Sequence, residues 1–493
     1  MKNENKLREV LQLYRDHLPE GTLENFRIDP LDCLGIPVVD ATLFTDGGSD
    51  CFNGVGYGST EVEAQIGAFG ELYEGYHITQ KVRSLPVETN SYRTLHKKYS
   101  GNVIDPRTLI LPAGSSYTID TPLKWMQVYR LSDHQPYWIP QEFVGSRNGD
   151  VGYPEALITP ITNGVGAGDT FERALLHGLL EFLQRDGNCD SFRALDKGKV
   201  LRLENIDSET QELLDLLKSK GLEVTLKLAR VTCGCVSVYA VGRDLTDEDF
   251  PLSVAACGEA ADPDYNRALR KAILECASSH SRKLFYHSSF DRKCQVTPEG
   301  YRDRNTKALH LDAEEQRALQ EMVSWITSDK AYIQSLIEDT VFSKREEIPT
   351  TTLPSFPKED IPSRLQKVLE GYQAEGLEIY YMRATPEDHP IQVVRTIVPG
   401  IEMELGSYHR IGYRGVRRLQ NCGSPLVSRK SGSGKERIIL TPEQEEAVGG
   451  PVWLDGKKLD QKIGNLYPLY REPSGHAAPY AVETAYFSEV AAL

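Results

Sequence analysis

No apolar run in this 493-residue chain approaches the roughly 20 residues that a helix needs to cross a bilayer. The opening stretch, Met1-Lys2-Asn3-Glu4-Asn5-Lys6, has no hydrophobic signal region behind it. Both absences predict a cytoplasmic protein. Positive charge is also scarce: a net charge of −15 argues against nucleic acid and against an anionic membrane as partner, because either attracts a basic face. A cysteine framework is missing as well, since nine scattered cysteines suit reduced thiols better than disulfides. Cys233-Gly234-Cys235 is spaced too tightly for a zinc site and falls in Val231 to Ala240, which alternates like a strand. Cys51 is expected as a small buried residue. Ser431-Gly432-Ser433-Gly434-Lys435 lacks the spacing and the preceding strand of a phosphate loop, so it reads as a surface linker.

What the chain does have is one phrase written twice. Asn53-Gly54-Val55-Gly56-Tyr57-Gly58-Ser59-Thr60 returns 110 residues later as Asn163-Gly164-Val165-Gly166-Ala167-Gly168-Asp169-Thr170, with six of eight positions identical. Extending both copies without a gap sets Ala64 over Ala174, Glu71 over Glu181 and Glu74 over Gln184. Glycines so dense allow positive φ and close approach of a ligand, which predicts a loop. Ser59, Thr60, Asp169 and Thr170 are good caps for a following helix, and a glycine loop that feeds a helix N-terminus favours phosphate. Residues three apart share a helix face, so Glu71 projects with Glu74, and Glu181 with Gln184, with His177 one turn earlier. A fainter third copy runs from Ala268 to Ser278, keeping the interval from alanine to Glu275 while its preceding segment, Cys257 to Asp264, is not a glycine phrase. The helices are apolar on most sides, so their acids line a cleft. Converging acids repel one another unless a cation lies between them, and oxygen donors suit Mg²⁺ with phosphates. A solvated helix face would explain one copy, but it gives no reason for loop and glutamate to recur together.

At these residues the chain resembles the YcaO family, ATP-dependent enzymes that activate peptide backbone amides. Gly56-Tyr57-Gly58 with Gly67 to Gly75 is similar to the family's first signature, a Gly-Lys-Gly loop and a Ser-x-x-x-Glu-x-x-Glu-Arg helix. Asn163 to Thr170 leading to His177 through Asp186 is similar to the second. Leu31 to Val38 looks like the family's opening strand, and Val393 to Gly400 like its late strand and turn. The resemblance implies an α+β, YcaO-like fold of mixed β-sheets and packed helices, built on internal loop-helix repeats around an ATP cleft. It implies Mg²⁺ ligands at Glu71, Glu74, Glu181 and Gln184. Glu71, Glu181 and Arg185 would be catalytic, and Ser59, Thr60, Gly166, Asp169, His177, Arg185 and Arg395 would contact the nucleotide. ATP would phosphorylate a backbone amide oxygen as a nucleophile adds to the carbonyl carbon, and loss of phosphate would give an azoline, a thioamide or an amidine. The implied partners are a ribosomal precursor peptide rich in Cys, Ser and Thr, a separate leader-binding or sulfur-delivery protein, and a second copy of the chain as a homodimer.

The departures are as specific as the matches. Tyr57 stands for the loop lysine, Gly67 for the helix serine, Gly75 for the arginine and Gln184 for the fourth acid; Ser278 and His280 replace the usual Gln and Arg after Glu275, with Arg282 nearby but out of register. The proline-spaced tail of azoline-forming members is absent from Phe487 to Leu493. These losses support a second expectation, a catalytically degenerate scaffold that binds peptide or partner. Three retained glutamates and Arg185 speak for activity, since buried like charges have no stability reason to persist.

The remaining organisation is coarser. Residues 1–28 are expected as an N-terminal helical extension too short for a leader-binding module, 29–430 as the catalytic domain with repeats near 53–76, 163–186 and 258–282, and 431–493 as a C-terminal extension. Ser208 to Lys220 and 311–345 read as helical, Glu223 to Gly242 as strand, and Ile348 to Pro362, with four prolines, as a hinge. His409, Arg410, Arg414, Arg417 and Arg418 form a local basic group that either meets phosphate or offsets nearby acids.

Overall fold

The computed structural model describes residues 2–48, 50–147, 150, 156–307 and 309–487. Three larger sheets and one small one, Val427–Ser428, Trp453–Asp455, Lys435–Arg437, organise the described residues. A three-stranded antiparallel sheet runs Thr22–Arg27, Val38–Thr45, Asp50–Tyr57. A five-stranded sheet runs Cys257–Asp262, Cys235–Asp244, Leu222–Thr232, Lys199–Arg202, Glu346–Pro349. A six-stranded sheet runs Glu88–Ser91, Pro122–Arg130, Tyr380–Arg383, Gln392–Ile397, Val165–Gly168, with Pro136–Pro140 added beside Pro122–Arg130. Helices pack on strands throughout, as the expected α+β class requires.

The repeated phrase holds the first correction. Gly54, Gly56, Gly166 and Gly168 lie in strands, Asp50–Tyr57 and Val165–Gly168, with Gly58 and Gly164 just outside them, and each strand is followed by a two- or three-residue turn and a long helix, Glu61–Ser84 and Phe171–Asn188. The physical reason is backbone packing. A Cβ on Gly56 would stand 1.9 Å from the Ala64 carbonyl oxygen, and one on Gly166 would stand 2.0 Å from that of Ala174. Strand and helix backbones touch directly there, so at Gly56 and Gly166 the space of the missing side chain is taken by the helix.

The third copy is structurally complete. Strand Cys257–Asp262 leads to helix Tyr265–His287, and Gly258, ten residues before Ala268, stands where Gly54 and Gly164 stand. A Cβ on Gly54 would meet Ala68 O at 2.2 Å and Leu72 N at 2.7 Å, while one on Gly258 would meet Ala272 O at 2.2 Å and Cys276 N at 2.3 Å, the same two offsets along the helix. Thr60, Thr170 and Asp264 cap the three helices from equivalent positions.

Each repeat strand forms the end of a different sheet. Each repeat helix packs on its own strand and also on the next one: the first helix touches Val165–Gly168, the second touches Cys257–Asp262, and the third returns to Asp50–Tyr57. Three strand-helix units thus close a ring, and burial of each edge under helices removes an open pairing edge.

The flanks join this ring through shared cores. Helix Lys2–Asp16 docks on the first repeat helix, where Tyr73 Oη donates to the Tyr14 carbonyl at 2.7 Å, and Thr22–Arg27 pairs along Val38–Thr45. Leu454, Leu459 and Ile463 share a core cluster with Tyr239, Val241 and Leu252. Several local expectations change. Cys233 (φ 48°) and Gly234 (φ 68°) form the turn of a hairpin between Leu222–Thr232 and Cys235–Asp244 rather than part of one strand. Cys51 is exposed. Leu31 to Pro37 is a turn, and the opening strand begins at Val38. The 311–345 stretch divides into Gln316–Ile326 and Lys330–Glu338, and the proline-rich stretch starts as Glu346–Pro349, parallel to Lys199–Arg202. Positions 488–493 of the tail lie outside the described residues.

One buried ion cluster fastens the opening turn to the third repeat helix. His280 Nδ1 lies 3.4 Å from Asp32 Oδ2, and its Nε2 lies 3.8 Å from Asp244 Oδ2. Burial alone would depress this imidazole, but hydrogen bonds to Asp244 and Asp32, with their charges, raise it to about 9. Its unfolded value is about 6.5. The stabilisation is therefore complete below about pH 6.5 and is lost as pH rises through about 9, a change of roughly 3 kcal/mol. Urea midpoints at a series of pH values should fall across that window in wild type and flatten in His280→Gln. Equal slopes in the two proteins would remove His280 as the cause.

Candidate active site

Four positions recur at equivalent places on the three repeat helices. Gly67, His177 and Lys271 occupy the first; Glu71, Glu181 and Glu275 the second; Glu74, Gln184 and Ser278 the third; Ile78, Asn188 and Arg282 the fourth. Spacing of three and four residues puts each set on one helix face. The glutamates of the second position share one device. Glu71 Oε2 accepts the Val55 N–H at 2.9 Å, Glu181 Oε2 accepts that of Gly164 at 2.9 Å, and Glu275 Oε2 accepts that of Glu259 at 3.1 Å. One carboxylate oxygen on each wall is thereby held by its strand.

The electrostatics show that the walls face one another. Glu71 keeps an accessible face on the basin, yet the protein closes round it elsewhere; this withdrawal from water raises its carboxyl, Arg282 and the Val55 amide oppose the rise, and Glu181 and Asp40 add to it. Glu74 is raised well above the usual carboxylate range by burial first, then by Glu71 and Glu181, with the Ala167 amide and Lys271 opposing. Glu275 is pushed up to about 7 by burial and by Glu259, against Lys271 and Arg185. The His177 ring, open to the basin, is held down at about 3 by the enclosing walls and then by Lys271. Acids from all three helices and cations from two thus share one basin.

The expected site residues divide by position. Glu71, Glu74, Glu181 and His177 face the basin, and Arg185 bridges it, 3.5 Å from Glu181 and 3.3 Å from Glu259. Gln184 is buried on the second helix. Thr60 is spent on a capping box with Glu63, Ser59 is exposed in the turn, and Asp169 pairs with Arg173 at 2.5 Å. Gly166 packs against Ala174. Arg395 is buried and donates to the carbonyls of Ile161 (3.0 Å), Asn163 (2.8 Å) and Phe143 (3.1 Å), so it anchors the segment before the second repeat strand. The late basic group is divided in the same way: Arg410 donates to Leu109 and Ile110 carbonyls, Arg418 pairs with Asp186 at 2.5 Å and Arg414 with Glu375 at 2.7 Å.

Lys271 escaped the sequence reading and Arg282 was placed out of register. Both are exposed to the basin. The available signal was the third copy itself: aligned on Gly258, Lys271 falls four residues before Glu275 and Arg282 seven after it. Tyr57, at the expected lysine position, points its hydroxyl between Glu275 and Glu71, and burial and those carboxylates raise it far above its ordinary value.

Among the described residues no three acidic, histidine or cysteine side chains form a ready-made cation cage. The donor chemistry fits Mg²⁺ all the same: Glu71 and Glu74 are destabilised as anions by burial and by neighbouring carboxylates, the condition a hard cation relieves. Glu71, Glu74 and Glu181 would hold it, with Lys271, Arg282 and Arg185 left to face phosphate oxygens.

Acids from three helices and cations from two thus converge within a closed ring of strand-helix units. The chain belongs to the YcaO cyclodehydratase family, described as ATP- and Mg²⁺-binding, which matches residues 55–402. ATP and Mg²⁺ are accordingly its cofactors, and ATP-dependent amide activation is its class of chemistry. An uncharacterised protein of Methanothermobacter thermautotrophicus is 27% identical over 413 residues, covering 82% of this chain and 96% of the relative. Two solved structures share the fold. One is YcaO from Methanopyrus kandleri bound with AMPPCP and Mg²⁺, with TM-score 0.57, 20% identity and coverage of 82% of this chain and 94% of that one. The other is a heterocyclase in complex with substrate and cofactor, with TM-score 0.59, 17% identity and coverage of 85% of this chain and 55% of that one. Among the described residues no helix is long and apolar enough to cross a membrane.

Proposed function

We propose that this protein uses Mg²⁺ and ATP to activate a backbone amide of a ribosomally made peptide, giving an azoline or a thioamide. The observation that carries the reading is the convergence of Glu71, Glu74, Glu181 and Glu275 on one basin with Lys271, Arg282 and Arg185. When bound, ATP supplies the phosphoryl group that turns an amide oxygen into a leaving group. The strand amides of Val55, Gly164 and Glu259 hold one oxygen of Glu71, Glu181 and Glu275, which fixes the direction of the other toward the basin. Lys271 and Arg282 restore positive charge that Tyr57 and Gly75 do not supply. Arg185, oriented by Glu181 and Glu259, is placed to meet charge that develops on a transferred phosphoryl group. Arg395 holds the second repeat strand in register with Gln392–Ile397 and positions Glu181 indirectly.

A precursor peptide rich in Cys, Ser and Thr, a separate leader-binding or sulfur-delivery partner, a homodimeric state and a cytoplasmic location belong to this proposal. The scaffold reading draws support from the Tyr57 hydroxyl facing Glu275 and from amide Gln184. Parallel incubations separate the two readings: protein, ATP, Mg²⁺ and a synthetic peptide encoded beside the gene, with and without added sulfide as sulfur donor, followed by mass spectrometry. Loss of one water identifies azoline formation, and replacement of oxygen by sulfur identifies a thioamide. ATP bound without release of phosphate, with every neighbouring peptide, decides for the scaffold.

A further inference from the structure

Away from the basin, the outer face of the six-stranded sheet carries a second cavity. Strand Pro122–Arg130 pairs with Glu88–Ser91 through Trp125 and with Tyr380–Arg383 at Tyr129 and Arg130. Among the described residues no strand pairs with Met126, Gln127 or Val128 on that side, because Pro136–Pro140 occupies the other edge. The sheet therefore opens into a slit three residues long.

Over the slit lies a cavity of about 570 Å³. Register explains its lining: Gln127 pairs with Trp138 and Tyr129 with Tyr381, and paired residues in an antiparallel sheet project from one face. Tyr129 is 41% exposed, an unusual level for a large ring on a sheet. His134, in the left-handed region at φ 57°, holds the Tyr381 hydroxyl at 3.0 Å and fixes one wall. Lys81 and Arg383 also line the cavity, and no carboxylate does. Arg383 lies over the Phe171 ring at 3.8 Å and donates to Gln392 at 2.7 Å, so its guanidinium is held in place, and among the described residues no carboxylate pairs with it. Two cations with no ion-pair partner among the described residues, beside three aromatic rings in a chain of net charge −15, form a local inversion of the molecule's field.

We infer that this cavity docks an acidic peptide segment carrying an aromatic or long apolar side chain, outside the amide-activating basin. The side chain enters the slit against Tyr129, Trp138 and Tyr381, and flanking carboxylates meet Lys81 and Arg383. Phe171, against which Arg383 stacks, is the first residue of the second repeat helix, so a peptide held here lies beside one wall of the basin. The inference rests on the peptide-substrate reading, since it assigns that peptide a holding site.

The test uses the full chain and fluorescence anisotropy of a fluorescein-labelled peptide, Glu-Phe-Asp-Leu-Glu-Tyr-Asp-Leu, with its Lys-for-acid analogue as control. Wild type should bind the acidic peptide and not the basic one. Lys81→Glu combined with Arg383→Gln should weaken binding at least ~10-fold, about 1.4 kcal/mol. Tyr129→Ala, at an exposed position, should weaken it without change in thermal midpoint. Equal affinity in wild type and all variants, no binding by wild type, or a peptide-independent loss of dimer in the variants overturns the inference; the last would mean that a second copy covers the face. ATP binding measured on the same samples keeps the outcomes apart: intact ATP binding without peptide binding defeats this site alone, and loss in Glu71→Gln with peptide binding intact leaves this site standing.

Discussion

Replacing Glu71 or Glu181 by glutamine should abolish most ATP turnover, by ~100-fold or more, and weaken Mg²⁺-dependent nucleotide binding while leaving the fold in place. Both side chains accept a strand N–H that a glutamine oxygen can still accept, so the local hydrogen bond survives. What disappears is negative charge in a basin where burial and Glu181 already raise Glu71 and where Glu74 is raised further by both. In the nucleotide-free protein, removal of one charge relieves repulsion, and the thermal midpoint should stay level or rise. In the presence of Mg-ATP the wild type should gain stability that the variants lack, since a ligand stabilises only the state that binds it. Isothermal titration and phosphate release, each with and without Mg²⁺, measure the effect. Unchanged nucleotide affinity in both variants would refute the placement of the cation in this basin.

Gly56→Ala should cost about 3 kcal/mol or more and leave little soluble protein. The added methyl would meet Ala64 O at 1.9 Å and Ala68 N at 2.1 Å, and both are helix backbone atoms that no rotamer change can move. Gly258→Ala faces the same obstacle at Ala272 O and Cys276 N. Gly70→Ala is the control: it lies in the first repeat helix, its Cβ meets nothing nearer than Tyr14 Oη at 3.8 Å, and alanine favours a helix interior by about 1 kcal/mol. Soluble yield and thermal midpoint should fall for the two strand variants and hold or rise for the control. A well-folded Gly258→Ala protein would show that the third unit is a looser copy than its geometry implies.

The glutamates, their spacing and the N-terminal caps were legible because they are local: a helix face follows from intervals of three and four, and a cap from one side chain before the first turn. The glycines were misread as phosphate loops because sequence shows that a side chain is missing and does not show what fills the space. A helix backbone fills it, and only the packed strand-helix unit reveals that Ala64 O and Ala174 O stand where a methyl would go. The third copy was faint for a related reason. It needs one tight glycine, Gly258, where the other copies carry three, and aspartate caps its helix in place of threonine.

The sequence by itself determined the family, the acidic character and the recurrence of a capped helix with its glutamate, plain in two copies and faint in a third, and from these came the expected cation ligands. Only the tertiary structure decided that the units close a ring, because contacts between one helix and the next unit's strand join residues far apart in the chain. Ring closure places Lys271 and Arg282 opposite Glu74 and Glu71, so the cations of the third wall face the acids of the first. It also commits Arg395 to three carbonyls, since burial of a guanidinium without hydrogen-bond partners is too costly for the fold to leave it free.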